Sequence, residues 1–379
     1  MNYSERKLLG SEIRSALAFF QPSAATILRH SAISSSHPLT GAFFGVRKGN
    51  RGLRSEKIPG ATFLGITSSS RQQAMGSNER PNPDRLAVVT GANKGIGLET
   101  ARQLASHGVT VILTARDEKR GTDAVESLHQ VGFSNVVFHQ LDVRDPASVA
   151  SLAHFIQNQF GKLDILVNNA GASGVVVDVE GLKALNIDPE SWLSGKATNI
   201  VQAVIRQDNE DAVTCLDTNY YGVKRVTEAL LPVLMRSTSG ARIVNVSSLR
   251  SELKRMPNES IRNQLNDIDN LNEEKIEKLL DGFLEDLKNG TLEAGGWPMM
   301  LPSYSVSKTV LNAYTRVLAK RYPDMCINCV HPGYVKTDIN WNTGVLATEE
   351  GAKGPVMLAL LPNGGPSGCY FDQTTMAEY

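Results

Sequence analysis

The chain has 379 residues and no formal net charge, with 39 Lys/Arg balancing 39 Asp/Glu. No run approaches the ~18 apolar residues that cross a bilayer, and no Lys/Arg cluster interleaved with aromatics offers a nucleic-acid surface, so neither partner is expected. The even balance hides an asymmetry, because residues 1–74 hold ten Lys/Arg against three Asp/Glu.

A basic, Ser-rich, acid-poor start with scattered apolar residues has the composition of an organelle transit peptide. Met75-Gly-Ser-Asn-Glu79 reads equally well as the start of a cytosolic enzyme preceded by a dispensable extension. The first reading places the protein in a plastid or mitochondrion, the second in the cytoplasm. In either case residues 1–80 are assigned no fold, since polar sequence of low hydrophobicity cannot offset its ordering entropy. A chain starting at Met75 is expected to fold and to be active.

From Arg85 onward strands and helices alternate. Leu86-Ala-Val-Val-Thr90 is a short apolar run of the buried-strand type. It flows into Gly91-Ala-Asn93-Lys94-Gly95-Ile96-Gly97 and then a helical pattern through Leu98, Ala101, Leu104 and Ala105. Strand, glycine turn and helix in that order make a nucleotide site, because glycines admit a pyrophosphate close to the backbone and the helix N-terminus offers free N–H groups. Thr110–Thr114 is the second strand. An NAD site usually has an Asp or Glu about twenty residues past the glycine loop, accepting from the ribose 2′-OH. Arg116 holds that place, and with Lys94 it predicts the 2′-phosphate of NADP(H). Asp117 reads as the first residue of a helix to Gln130.

Val136–Gln140 is the third strand, running toward Asp142, and a helix follows from about Pro146 to Phe160. Asp164–Val167 is the fourth strand and ends at Asn168-Asn169-Ala170-Gly171. A long helix spans about Asn209 to Met235, then the strand Arg242–Val246 leads to Ser247-Ser248. Tyr304 stands 56 positions after Ser248. Between them Ile276, Leu279, Leu280, Phe283, Leu284 and Leu287 fall at helical spacing, which predicts an amphipathic helix inserted at about residues 250–300 and packed on the body. The helix carrying Tyr304 runs to about Arg321, Cys326–Val330 is the sixth strand, and Cys369-Tyr-Phe371 a last edge strand. Cys326 and Cys329 face opposite sides of a strand and lack a second pair or a suitable His, so they read as buried thiols and no metal site is expected.

This alternation predicts an α/β fold: a Rossmann-type, doubly wound parallel sheet forming a single domain over residues 81–379, with a helical insertion before the Tyr304 helix. Ligands then sit outside the strand carboxyl ends, where every motif falls. Tyr304-Ser-Val-Ser-Lys308 carries the chemistry. Residues i and i+4 share a helix face. A free phenol titrates near ~10, and a neighbouring ammonium favours the phenolate, which suits a general acid–base.

Thr90–Gly97, Asn168–Gly171, Asn219, Ser247-Ser248, Tyr304-x-x-x-Lys308 and His331-Pro332-Gly333 together resemble the ordered motif set of the short-chain dehydrogenases/reductases, from about Arg85 to Tyr379. The long segment before Tyr304, Gly295-Gly-Trp-Pro298 and the ending Leu360–Gly368 are similar to the plant carbonyl reductases of the neomenthol/menthone and salutaridine reductase group. The resemblance implies reversible, NADPH-dependent reduction of a ketone or aldehyde, terpenoid- or alkaloid-like, with Tyr304 as general acid–base. Ser248 would hydrogen-bond the carbonyl oxygen; Ser247 is the alternative, disfavoured by the family pattern and strand phase. Lys308 would lower the Tyr304 pKa and hold the nicotinamide ribose, and Asn219 would place a water that passes protons to Lys308. The family pattern adds Asn93, Ile96, Asp142, Val143, Asn169, Ala170, Gly171, Pro332, Gly333, Val335 and Thr337 as cofactor contacts, with Asn168 behind the nucleotide. Substrate selection is expected from the loops around Gly174–Val179 and Asn340–Leu346. Because the insertion emerges beside the helices through which most family members pair, a monomer is expected. The competing readings are a non-catalytic NADP(H)-binding sensor or scaffold, whose kind generally loses Tyr, Lys or Ser, and a nucleotide-binding methyltransferase, which needs no Tyr304-x-x-x-Lys308.

Overall fold

The computed structural model describes residues 85–379; the expectations for residues 1–80 and for a start at Met75 lie outside the described residues. In chain order the first elements are β1 (Leu86–Val89), α1 (Gly95–Ser106), β2 (Thr110–Ala115), α2 (Glu118–Gln130), β3 (Val136–Gln140), α3 (Pro146–Gln159) and β4 (Ile165–Asn168). A block of short pieces follows: β5 (Val176–Val177), α4 (Val179–Ala184), α5 (Pro189–Ser194), α6 (Thr198–Val201) and β6 (Ile205–Arg206). The remainder comprises α7 (Asn209–Leu216), α8 (Gly222–Leu234), β7 (Arg242–Val246), α9 (Glu259–Asn266), α10 (Glu273–Asn289), α11 (Pro302–Arg321), β8 (Cys326–His331), α12 (Thr348–Ala359), β9 (Tyr370–Asp372) and β10 (Thr375–Ala377).

Eight strands form one sheet in the order β10-β9-β8-β7-β4-β1-β2-β3. All neighbours pair in parallel except the terminal hairpin β9–β10. The edge strand is therefore β10, one hairpin beyond the expected Cys369–Phe371. Alternation along each strand divides the core between two faces. Leu86, Val88, Ile112, Leu166 and Ile243 pack with α3, α8 and α11, whereas Ala87, Val89, Val111, Leu113, Ile165 and Val167 pack with α1, α2 and α12. The chain proceeds from β1 outward to β2 and β3, then returns to β4 on the other side, and this reversal opens a crevice at the strand carboxyl ends.

Two elements differ from the sequence reading. The long helix expected over Asn209–Met235 is interrupted by a π-helical turn, Asp217–Tyr221, between α7 and α8. One extra residue per turn barely disturbs apolar periodicity, so the pattern did not record it; such turns gather at functional sites. Asp117 is the N-cap of α2 rather than its first residue, its carboxylate accepting from Arg120 N.

The insertion packs as expected. Ile276, Leu279, Leu280 and Phe283 are buried, and Leu284 and Leu287 lie against the same core as Tyr220 and Tyr314. Asn272 caps α10 at its start, and Gly290 ends it at φ 71°, a left-handed value suited to glycine. Phe283 meets Trp297 edge-on at 5.2 Å. Lys224 of α8 reaches Glu273 at 2.8 Å and Glu277 at 2.7 Å, and Arg321 of α11 reaches Glu273 at 2.7 Å. No helix among the described residues is long and apolar enough to cross a membrane.

Candidate active site

A cleft of about 750 Å³ opens at the carboxyl ends of the central strands. Apart from Asn219, every residue assigned a catalytic role or a direct cofactor contact from the sequence lines it, from Gly91 and Asn93–Gly97 through Arg116, Asp142–Val143 and Asn169–Gly171 to Ser248, Tyr304, Lys308 and Pro332–Thr337.

The glycine loop is built for close approach. Gly91 has φ +61°, and a Cβ there would lie 2.9 Å from Ala170 Cα. A Cβ on Gly97 would fall 2.4 Å from Asn169 Nδ2 and 2.8 Å from Gly91 O. Asn169 Nδ2 donates to Thr90 O at 2.9 Å and Gly91 O at 3.1 Å, which ties this loop to the turn after β4. Lys94 is the N-cap of α1 but supplies no capping side chain, and the first turn carries no acidic residue. Its N–H groups thus face the cleft uncapped, an arrangement that suits a pyrophosphate. Arg116 is exposed at the end of β2 and forms no ion pair among the described residues. Lys94 reaches across to Asp338 at 2.5 Å, and both side chains are more than half exposed. Asp142 accepts from Arg144 N at 3.0 Å and lies 3.5 Å from its guanidinium. Arg144 is a cleft cation that the sequence reading missed; its place two residues past Asp142 was the available signal.

At the Tyr304 end of the cleft the two serines separate cleanly. Ser247 donates to Asn312 Oδ1 at 2.6 Å inside the protein. Ser248 lies beside Tyr304 and favours its phenolate, and its hydroxyl accepts from Arg250 N at 3.2 Å. Burial pushes the Tyr304 phenol up to about 12, against Ser248 and the Arg250 charge, which both lower it. Lys308 is buried, which lowers its own pKa to about 8. Its ammonium donates to Val246 O at 2.8 Å and lies 5.8 Å from the Tyr304 ring centre. Burial thus outweighs the lowering expected of a neighbouring cation, and Arg250 adds a further positive charge that favours the phenolate.

Asn219 stands behind the wall, on the π-helical turn. Its Oδ1 accepts from Ala172 N at 2.8 Å, and its Nδ2 donates to Ala172 O and to Ser307 Oγ, each at 2.9 Å. The amide is committed to holding the turn after β4. Asn168, fully buried, donates to Thr227 Oγ1 and Asn245 Oδ1 and fastens β4 to α8 and β7.

The far end of the cleft was only partly legible in the sequence. Its wall comes from Trp192 and Leu193 of α5 rather than from Gly174–Val179, together with Leu301, Tyr334 and Asn340–Asn342, the first part of the expected Asn340–Leu346 loop. Trp192 and Val201 belong to a small separate core with Leu182, Ala197 and Met300, and Trp192 meets Trp341 edge-on at 6.5 Å. Arg250 and His331 also line this end, and both are buried. Burial lowers the His331 imidazole to about 4, so it is neutral at pH 7.

Residues 85–260 match the family model described as short chain dehydrogenase. The chain is 54% identical over 297 residues to Short-chain dehydrogenase/reductase 1 of Saponaria officinalis, an alignment covering 78% of this chain and 96% of that one. It is 49% identical over 299 residues to (+)-neomenthol dehydrogenase of Arabidopsis thaliana, covering 78% and 98%. The solved structure of salutaridine reductase from Papaver somniferum superposes with a TM-score of 0.71 at 48% identity, covering 76% of this chain and 99% of that one.

Proposed function

The chain belongs to the short-chain dehydrogenase family, and from that premise we propose that it reduces the carbonyl of a small ketone or aldehyde to an alcohol with NADPH, reversibly. The observation that carries this reading is the meeting of Ser248, Tyr304 and Lys308 at one end of a cleft whose other end is the glycine loop. A sensor or scaffold would have no use for a phenol, a serine and a buried ammonium placed together.

The uncapped N–H groups of α1 would hold a pyrophosphate, Arg116 and Lys94 a 2′-phosphate, and Asp142 and Val143 an adenine. The Lys94–Asp338 pair is exposed and worth at most about 1 kcal/mol, so Lys94 can exchange that partner for a phosphate at little cost. Lys308, Asn169–Gly171 and Pro332–Thr337 line the end where a nicotinamide ribose would lie. A bound reduced nicotinamide supplies hydride. Ser248 donates to the carbonyl oxygen as negative charge develops there, and Tyr304 delivers its proton to the same oxygen. With its pKa near 12 the phenol stays protonated through the neutral range, as an acid must. Asn219 acts as a positioning residue by fixing the Ala172 turn. Incubating the protein with NADPH and a panel of cyclic and aromatic ketones, followed at 340 nm, tests the reading. Turnover of at least one ketone is expected, and binding of NADPH without turnover of any would favour a sensor.

The pH dependence has a definite sign. Lys308 carries its charge below about 8 and loses it above. The kcat/KM for reduction should fall as pH rises through about 8, and Lys308→Arg, whose cation persists, should move that fall to higher pH. A profile flat to pH 10 would remove Lys308 from the charged role.

We also propose that the chain is a monomer. In an isologous interface each face meets its own copy, so covering that face removes both halves of the contact. Here α10 lies on α7 and α11 and buries its own apolar stripe there. Light scattering at micromolar concentration should give the mass of one chain, and a mass near twice that would refute the covered-face explanation.

A further inference from the structure

Arg250 is a buried cation with no anionic partner among the described residues. Only 8% of its surface is exposed, yet it lines the substrate end of the cleft beside Ser248, Tyr304 and Trp192. A guanidinium has five N–H donors and is not deprotonated in proteins. One nitrogen, Nη2, donates to the carbonyl of Trp192 at the end of α5. Nε and Nη1 make no hydrogen bond among the described residues, and neither is sealed away from the cleft as an orphaned buried atom. The Trp192 carbonyl anchors one edge of the guanidinium.

The charges around it do not compensate it. Arg250 joins no ion pair among the described residues, and the acidic side chain nearest in sequence, Glu252, is taken by Arg255 at 3.0 Å and Lys254 at 3.1 Å. Burial, followed by the repulsion of Arg255, lowers the Arg250 pKa to about 10, and the groups that oppose this are Tyr304 and Tyr334 rather than a carboxylate. A desolvated charge normally costs several kcal/mol unless it is paired. The fold keeps this one beside the proton donor, at the wall of a cleft wide enough for a ligand.

We infer that Arg250 is the substrate-recognition residue of this cleft and that the natural substrate carries a carboxylate in addition to its carbonyl. A planar carboxylate suits the free donors of a planar guanidinium, and the pairing gains strength where water is excluded. Trp192, Trp341 and Tyr334 supply flat apolar walls for the carbon skeleton between the two groups. This inference rests on the reductase reading given above and narrows its substrate class to oxo acids.

The test compares 4-oxocyclohexanecarboxylate with its methyl ester, which removes the charge and keeps the skeleton. The wild-type protein should favour the acid by at least about tenfold in kcat/KM, near the value of one charge-assisted hydrogen bond. Arg250→Met should bring the acid-to-ester ratio close to one, and Arg250→Lys should retain part of it. Because any effect of Arg250 on Tyr304 falls on both probes alike, the ratio reads recognition alone. A wild-type ratio near one, or a preference that Arg250→Met leaves unchanged, overturns the inference. Binding is followed separately through tryptophan fluorescence of the NADP⁺-saturated protein, titrated with cyclohexanecarboxylate and with its carboxamide. Saturation by the carboxylate alone, lost in Arg250→Met, supports the subsite even if neither probe ketone turns over, while the reductase reading stands or falls on the wider ketone panel. Equal responses to carboxylate and carboxamide, or none, overturn the subsite.

Discussion

Replacing Tyr304 with phenylalanine is expected to lower kcat about 10³-fold, within the range that a positioned general acid contributes, while NADPH binding persists. The phenol has no partner in the glycine loop; its contacts are Ser248 and the field of Arg250 at the far end of the cleft. Phenylalanine keeps the ring and removes only the hydroxyl, so the wall of the cleft stays in place. Steady-state kinetics with whichever ketone turns over, together with NADPH fluorescence titration, separates the two effects. Retention of more than roughly a tenth of wild-type kcat would assign the proton to another group.

Arg116→Asp is expected to shift the NADPH-to-NADH ratio in kcat/KM by about 100-fold toward NADH. Hydrogen bonds to charged groups contribute about 1.5–3 kcal/mol each, and the new carboxylate both repels a 2′-phosphate and accepts from a ribose 2′-OH. Arg116 is exposed at the end of β2 and has no carboxylate of its own to hold it, so its charge is available to a ligand. Lys94 and Arg144 remain in the variant and limit the loss of NADPH affinity. An unchanged ratio would make Arg116 a surface charge and return cofactor choice to those two residues.

What could be read from the sequence was whatever repeats along a strand or a helix. The run Leu86–Thr90 leading into Gly91–Gly97 announced strand, loop and helix together, and the stripe from Ile276 to Leu287 announced both α10 and its burial. Features made by distant contacts left no such trace. β5, β6 and helices α4 to α6 are two to six residues long, too short for periodicity to register, so the Trp192 wall went unseen. Lys94 and Asp338 stand 244 positions apart, and Arg250 meets the Trp192 carbonyl across 58. A lone arginine four residues after Val246 ordinarily reads as a solvated loop charge; only the fold over it turns Arg250 into a buried one.

The same limit explains Lys308. Its spacing from Tyr304 correctly placed the two on one helix, but spacing carries no information about depth. Burial moves the phenol up and the ammonium down, so the pair starts with the proton on the oxygen. That is the state required for reduction, and the reverse reaction must begin by removing that proton.

The most direct test of carbonyl reduction follows the hydride itself, using NADPH deuterated at the transferring C4 position and a ketone that the protein consumes. Mass spectrometry should find one deuterium on the carbinol carbon of the alcohol for each NADPH oxidised, with the hydroxyl proton drawn from the protein and solvent. NADPH oxidation that leaves the ketone unreduced, or an alcohol with no deuterium on that carbon, would contradict hydride transfer to a carbonyl as the reaction of this protein.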